Sequence, residues 1–521
     1  MTIASRLKRT ALSAATGLLV AGSLASTALA QHPEPKPGGT LTAALNLTFK
    51  TLDPVFGDAD ITDRLALNQI FEPLFRIAAK GEYQPVLAKS YQFNQDNTEL
   101  TLELREGIRF HDGTPFNAEA VAFNLTRLNG ARGAMRTGTV KWMKSAEVIG
   151  EYKVLIRLLQ PSGYALSSLA SEGTLIGSPA AIKKFGENFG RNPVGTGPFT
   201  FVEWVGAERL VLKKNPDYWQ KDNAGRSLPY LDQVVIRSIT NYATSILELE
   251  SGGVQLLNSV NPQDFKRIKD HPDLELLEGP QVMSQHAVLA VDKPPFNDKR
   301  VRQAIAYGVD NKTLAQAIAG EYGLVYPTYM PPADWAFDKS LQGFSYQPEK
   351  ARALLKEAGY GNGLSFEMLV IQREPDVTAA QIMQQMLKEI GVQMAVTVLE
   401  RQAFIGRVIT QGNYQGGMLA GQYPRLDPHD TFGRSFSAND GGNWSRHTNE
   451  AFVNLILKAR DTVDRQERYK LYQEIARVAL DESYMLYFYS RPAFQGVNTA
   501  VRNVEVDNGG AWVLTRTWVA R

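Results

Sequence analysis

The sequence contains no cysteine in 521 residues. This absence excludes disulfides, thiolate metal sites, cysteine nucleophiles and a lipid-bearing cysteine behind an export signal. A chain of this length buries enough apolar surface to fold without disulfide bonds. The composition is therefore compatible with a free periplasmic protein and disfavours a lipoprotein.

Recognisable catalytic motifs are also absent. The chain has no G-x-S-x-G nucleophile elbow, no H-E-x-x-H zinc helix and no G-x-x-x-x-G-K-[ST] phosphate loop. His111 and Asp112 are adjacent, but Gly113 follows them in a turn-forming segment, where neighbouring side chains seldom reach one substrate atom. The histidines are too scattered for a local metal site; they are His32, His111, His271, His286, His429 and His447. We therefore expect no enzyme, no metal site and no cofactor.

A large charge of either sign is lacking as well. The chain has 56 Lys and Arg residues against 54 Asp and Glu residues, a formal charge of +2. No long basic stripe interrupts this balance. Nucleic acid is therefore not expected as a partner.

Long apolar runs are confined to the N-terminus. Residues 6–9 carry three basic side chains, residues 11–24 are apolar apart from Ser, Thr and Gly, and residues 28–30 read Ala-Leu-Ala. This is the pattern of a secretory signal. The run is shorter than the about 20 residues of a membrane helix. We predict that the signal is cleaved after Ala30 and that the mature protein is soluble and periplasmic.

Strand-like and helix-like patterns alternate along the mature chain. Apolar and polar residues alternate, as in half-buried strands, at 41–47, 100–104, 152–158 and 392–398. Amphipathic stripes with helical spacing lie at 121–128, 382–390 and 469–479. Asn117 and Asp464 are suitable N-caps for the first and last of these helices. Such alternation predicts α/β lobes.

Several motifs occur together and in a characteristic order. They are TLDP (51–54), NQIFEPL (68–74), LREGIRFHDGTP (104–115), GTGPF (195–199), NPDYW (215–219), PPFNDKRVRQA (294–304) and EKARALL (349–355). In their number and order they resemble the family 5 extracellular solute-binding proteins, typified by the dipeptide- and oligopeptide-binding proteins of ABC importers. The resemblance covers essentially the whole mature chain.

The resemblance implies a two-lobed α/β binding protein that closes on its ligand like a clamp. Lobe I would comprise residues 31–65, 194–288 and 488–521. An inserted domain would span residues 66–193, and lobe II would span residues 289–487. The resemblance also implies a monomer that captures a small-molecule or peptide ligand and hands it to the membrane permease subunits of an ABC importer.

The family's dipeptide binders hold both ends of a zwitterion with an arginine and an aspartate. Arg373 matches the arginine that binds the ligand carboxylate; alternatively, it forms a surface salt bridge with Glu374 or Asp376. Gln422 stands at the position of the aspartate that binds the ligand amine, and glutamine cannot neutralise an ammonium group. Asp427 or Asp430 would have to take over the amine.

This departure leaves two kinds of ligand open. One is a peptide, or a peptide-like amide whose amino end is blocked or projects into solvent. The other is an oligosaccharide or an opine-like conjugate of a sugar and an amino acid. Tyr423 and Trp444 would stack on a sugar ring or a side chain, although both are equally suited to the core. Residues 420–430 match the family's ligand-binding segment, and we call them the ligand loop. A nickel complex is less favoured, since His429 is the only histidine in this loop. A periplasmic hydrolase using a carboxylate pair is the rival of a different class.

Overall fold

The computed structural model describes residues 34–46, 48–57, 61–78, 81–131, 137–328, 330, 332, 334–422, 427–438, 442–507 and 510–520. The predicted signal peptide with its cleavage site and Tyr423 lie outside these residues. No helix within them is long and apolar enough to cross a bilayer.

Strands account for much of the described chain. In chain order they are β1 (Thr40–Leu45), β2 (Phe75–Ile77), β3 (Tyr83–Pro85), β4 (Ala88–Phe93), β5 (Glu99–Leu104), β6 (Met143–Gly150), β7 (Lys153–Leu158), β8 (Phe199–Val205), β9 (Arg209–Lys214), β10 (Gln233–Ser238), β11 (Leu256–Leu257), β12 (Leu274–Leu289), β13 (Leu364–Ile371), β14 (Val392–Leu399), β15 (Gly416–Gln422), β16 (Met485–Asn498), β17 (Val501–Arg502), β18 (Glu505–Val506), β19 (Trp512–Val513) and β20 (Trp518–Val519).

Helices alternate with these strands. They are α1 (Ile61–Ile70), α2 (Ala118–Gly130), α3 (Ala165–Ser168), α4 (Pro179–Phe185), α5 (Tyr242–Glu250), α6 (Phe265–Asp270), α7 (Lys299–Gly308), α8 (Asn311–Ala319), α9 (Pro348–Glu357), α10 (Asp376–Glu389), α11 (Arg401–Ile405), α12 (Pro428–Phe436), α13 (Glu450–Asp461) and α14 (Arg465–Glu482). Both predicted N-caps are confirmed. Asn117 accepts a hydrogen bond from the backbone N–H of Ala120, and Asp464 accepts one from that of Glu467.

One ten-stranded sheet runs through the molecule in the order β14-β13-β15-β12-β16-β11-β1-β10-β9-β8. By the predicted boundaries, β8–β11 and β1 belong to lobe I, and β13–β15 belong to lobe II. The long antiparallel strands β12 and β16 pair with each other from Leu274↔Asn498 to Val288↔Met485 and connect these two sets of strands. The residue boundaries of the domains stay a prediction.

A second, four-stranded sheet has the order β4-β5-β7-β6. We call β2–β7 with α2 and α3 the small-sheet unit. The alternating leucines of β5 and the apolar residues of β7 share a buried cluster with the stripe Val121, Leu125 and Leu128 of α2. Burying each such side chain contributes about 1.5–3 kcal/mol. The unit therefore has its own apolar core, which the sequence periodicity predicts.

His286 lies in β12 and is completely buried. Burial lowers its pKa to about 3. The unfolded chain, in which the pKa is about 6.5, binds more protons than the folded chain between these values. The stability that His286 contributes is therefore fully present above pH 6.5 and is lost as the pH falls towards 3.

We expect His286→Gln to reduce the acid sensitivity of the fold. Between pH 7 and pH 4.5 the wild type should lose on the order of 2–3 kcal/mol of unfolding free energy through His286 alone. Urea unfolding of wild type and variant at both pH values measures this difference. His271→Gln, at a half-buried surface turn, is the control and should retain the full loss. An equal loss of unfolding free energy in wild type and His286→Gln would contradict the lowered pKa of His286.

Candidate functional site

The carboxyl ends of parallel strands in both lobes point towards the middle of β12 and β16. In lobe II, β13 and β15 are parallel, and Gln422 at the end of β15 pairs with Ser284. In lobe I, β1 and β11 are parallel, and Leu257 at the end of β11 pairs with Gly496. Because carboxyl ends of parallel strands are the usual ligand side of α/β sheets, the space between the two edges is the candidate site.

Arg373 lies at this edge, two residues after β13 ends. Its Nε and Nη2 both donate to Oδ2 of Asp376, at 3.0 and 2.7 Å. The arginine side chain is 44% exposed, whereas Asp376 is buried in the first turn of α10. Burial raises the pKa of Asp376, and the Arg373 guanidinium opposes that rise. The salt bridge considered as an alternative is thus present, and it holds a half-exposed guanidinium at the edge of the cleft.

A cavity of about 570 Å³ is lined by Glu374 and Pro375, which follow Arg373 in the chain, whereas Arg373 does not itself line it. The rest of its wall comes from residues within 261–270, in the predicted lobe I, and within 316–322, in the predicted lobe II. The ring of Tyr322 packs 5.2 Å from that of Phe265, centroid to centroid, so these two segments are in contact.

The predicted amine-binding region is described only in part. The backbone of Gln422 ends β15 at the edge facing the cleft. Tyr423 lies outside the described residues. The ligand roles of Gln422 and Tyr423 therefore stay predictions.

Asp427 anchors the far end of the ligand loop. One of its oxygens, Oδ1, accepts the backbone N–H of His429 at 2.9 Å and so caps α12. Both oxygens accept hydrogen bonds from Arg468, at 2.7 and 3.0 Å, and both side chains are almost completely buried. Burial disfavours the charged arginine, but Asp427 outweighs this effect and the pKa of Arg468 is raised. In this arrangement the carboxylate of Asp427 is engaged by protein groups.

The remaining two candidates, Asp430 and Trp444, also contact protein groups. Asp430 Oδ1 accepts a hydrogen bond from the hydroxyl of Tyr164 at 2.7 Å. Trp444 is half-buried against the apolar cluster of α12–α14, and its carbonyl accepts a hydrogen bond from the hydroxyl of Tyr414. A ligand role for Trp444 stays a prediction.

Sequence reasoning missed Arg468 and Tyr164 as partners of the loop. Arg468 precedes Tyr472 by one helical turn on the buried face of α14, and a charged residue within an apolar stripe is the available signal. Tyr164 carries no comparable signal. No group of three potential metal ligands occurs within the described ranges.

Two sets of strands are connected by the long pair β12 and β16, and the carboxyl ends of their parallel strands face each other. This arrangement is typical of a clamp-type solute-binding protein. The chain belongs to the bacterial extracellular solute-binding proteins, family 5; the model of the family's middle region matches residues 82–443. It is a periplasmic solute-binding protein of α/β fold, as the sequence predicts. The role of the family is solute binding and not catalysis.

Curated relatives and solved structures agree with this assignment. The chain is 30% identical over 380 residues to the glutathione-binding protein GsiB of Escherichia coli K12, covering 73% of each chain. It superimposes on the periplasmic binding protein DppA of Helicobacter pylori in complex with the peptide STSA with a TM-score of 0.82, 24% identity and coverage of 93% and 99%. For AgaA of A. tumefaciens R10 in complex with agropinic acid, the TM-score is 0.80, the identity 26% and the coverage 93% and 99%.

Proposed function

We propose that this protein captures a short, carboxylate-bearing peptide or peptide-like ligand in the periplasm and delivers it to the permease subunits of an ABC importer. Arg373 is the observation that carries the proposal. A guanidinium presents five N–H groups in a fixed fork, and Asp376 engages those at Nε and Nη2. Held in this way beside Glu374 and Pro375, which line the cavity, the half-exposed guanidinium of Arg373 would bind a ligand carboxylate through charge-assisted hydrogen bonds.

The relatives support a peptide-like ligand of this kind. The relative at 30% identity is a glutathione-binding protein, and glutathione is a short peptide with carboxylates at both ends. Gln422 replaces the acidic residue that would neutralise an ammonium group. We therefore propose that the site reads the carboxylate end and leaves the amino end without a full counter-charge. The complex of AgaA with agropinic acid makes an opine-like ligand the second candidate.

Closure would take place about β12 and β16. Their pairing shifts register between Glu278 and Val282 and again between Gln285 and His286. Pro280 and Pro492 lie in this stretch, and proline cannot donate a hydrogen bond to the ladder. We propose that this weakened ladder is the hinge between the predicted lobes. Ligand contacts from both lobes then favour the closed form, because only differential affinity shifts such an equilibrium.

Calorimetric titration of the mature protein tests the proposal. The ligands are glutathione, the tetrapeptide STSA, agropinic acid and a neutral trisaccharide. We expect saturable binding of at least one carboxylate-bearing ligand and none of the trisaccharide. The bound ligand, released by denaturation, should have an unchanged mass. Binding of the trisaccharide alone, or release of cleaved products, would refute the proposal.

A further inference from the structure

Residues 160–164, between β7 and α3, bridge the small-sheet unit and lobe II. Gln160 Nε2 donates to Asp461 Oδ2 at 2.6 Å. The backbone N–H of Gly163 donates to the carbonyl oxygen of Arg460 at 2.9 Å. Together with the bond from Tyr164 to Asp430, these contacts join segments about 270–300 positions apart in the chain.

Gly163 lies at a point of close approach between the two parts. A Cβ atom at this position would lie 2.0 Å from the carbonyl oxygen of Thr462 and 2.7 Å from Cδ of Arg468. The φ angle of Gly163 lies outside the left-handed region. The glycine is therefore required for close approach and not for backbone conformation. An alanine would leave the local backbone unstrained, but it would prevent lobe II from seating against this segment.

Tyr164 extends the contact to the ligand loop. Its hydroxyl donates to Asp430, and its ring lies 5.1 Å from the ring of His429, centroid to centroid. Both partners belong to the first turn of α12, whose N-cap is Asp427. Seating of Tyr164 is thereby coupled to the position of the segment that ends the ligand loop.

We propose that residues 160–164 form an interlobe latch, in which Gly163 permits seating and Tyr164 positions the first turn of α12. This inference rests on the proposed closure of the lobes. The latch consists of protein groups alone, so it stabilises the closed form before a ligand arrives. A population that is already closed binds more tightly, because apparent affinity scales with the competent fraction.

The absence of native cysteine allows a direct measurement of the closed population. Spin labels at Lys144→Cys and Lys470→Cys, on exposed positions of the small-sheet unit and of α14, report the interlobe distance without ligand. We expect the wild-type background to show a population at the distance seen in this structure. Gly163→Ala should reduce that population at least about fivefold, since the added methyl group would overpack the contact with Thr462 and Arg468.

Gly130→Ala is the matched control. Gly130 ends α2 in the small-sheet unit, and a Cβ there would have no neighbour within 4 Å. The control should keep the closed population. A wild type without that population, or a Gly163→Ala protein that retains it, would overturn the latch. Unfolding of Gly163→Ala without ligand would also overturn it, because the interface would then be a permanent part of the fold.

Glutathione titrations connect the latch to binding. Gly163→Ala and Tyr164→Phe should each raise the Kd about fivefold or more, whereas Tyr91→Phe, an exposed tyrosine of the same unit, should not. An unchanged Kd in both latch variants would refute the coupling to the ligand loop. Failure of the wild type to bind glutathione would count against the proposed ligand. The distances between the spin labels, measured without ligand, would still test whether the latch forms.

Discussion

Arg373→Ala is expected to weaken binding of a carboxylate-bearing ligand about 100-fold. A charge-assisted bidentate hydrogen bond in a closed cleft contributes on the order of 3 kcal/mol, which corresponds to that factor. A neutral sugar should be unaffected. Isothermal titration calorimetry of wild type and variant measures the change in Kd, using the carboxylate-bearing ligand that binds in the titrations described above.

Two further variants separate ligand binding from structure. Arg352→Ala is a matched control, since Arg352 pairs with Glu349 at a spacing of three residues and is 42% exposed, close to the value for Arg373. Its affinity should equal that of the wild type. Arg373→Ala combined with Asp376→Asn avoids leaving a buried carboxylate without Arg373, and it should show the same loss of affinity. Wild-type affinity in either Arg373 variant would exclude this residue from the site.

Asp427→Ala is expected to lower the free energy of unfolding by about 3–5 kcal/mol. The substitution removes one partner of a buried ion pair and leaves Arg468 buried without its counter-ion, which is costly. It also removes the N-cap of α12. Urea unfolding followed by circular dichroism measures the loss.

The matched control is an ion pair that is exposed on both sides. Arg352→Ala breaks a pair in which Arg352 is 42% and Glu349 is 86% exposed, and such pairs contribute about 0–1 kcal/mol. Replacing both Asp427 and Arg468 with leucine should recover much of the stability lost in Asp427→Ala, because no unpaired charge stays buried. An Asp427→Asn variant that keeps full stability but loses ligand binding would instead restore Asp427 as a ligand residue.

The predictions that the structure confirms rest on local patterns. The alternating leucines of β5 and the stripe of α2 follow from the periodicities of strand and helix, and Asn117 and Asp464 cap helices through residues three positions away. Arg373, by contrast, is assigned through the family resemblance, and the structure places it between β13 and α10. Its pairing with Asp376 is equally local, and the sequence had already indicated it as an alternative.

The sequence by itself determined the family, the α/β fold class and the starts of two helices, at Asn117 and Asp464. Tertiary structure alone decided that Asp427 pairs with Arg468, that Tyr164 reaches Asp430, and that Gly163 seats against Thr462. These partners are 41 to about 300 positions apart. The physical reason is that no periodicity links distant segments: their side chains meet only when both lobes have folded about β12 and β16.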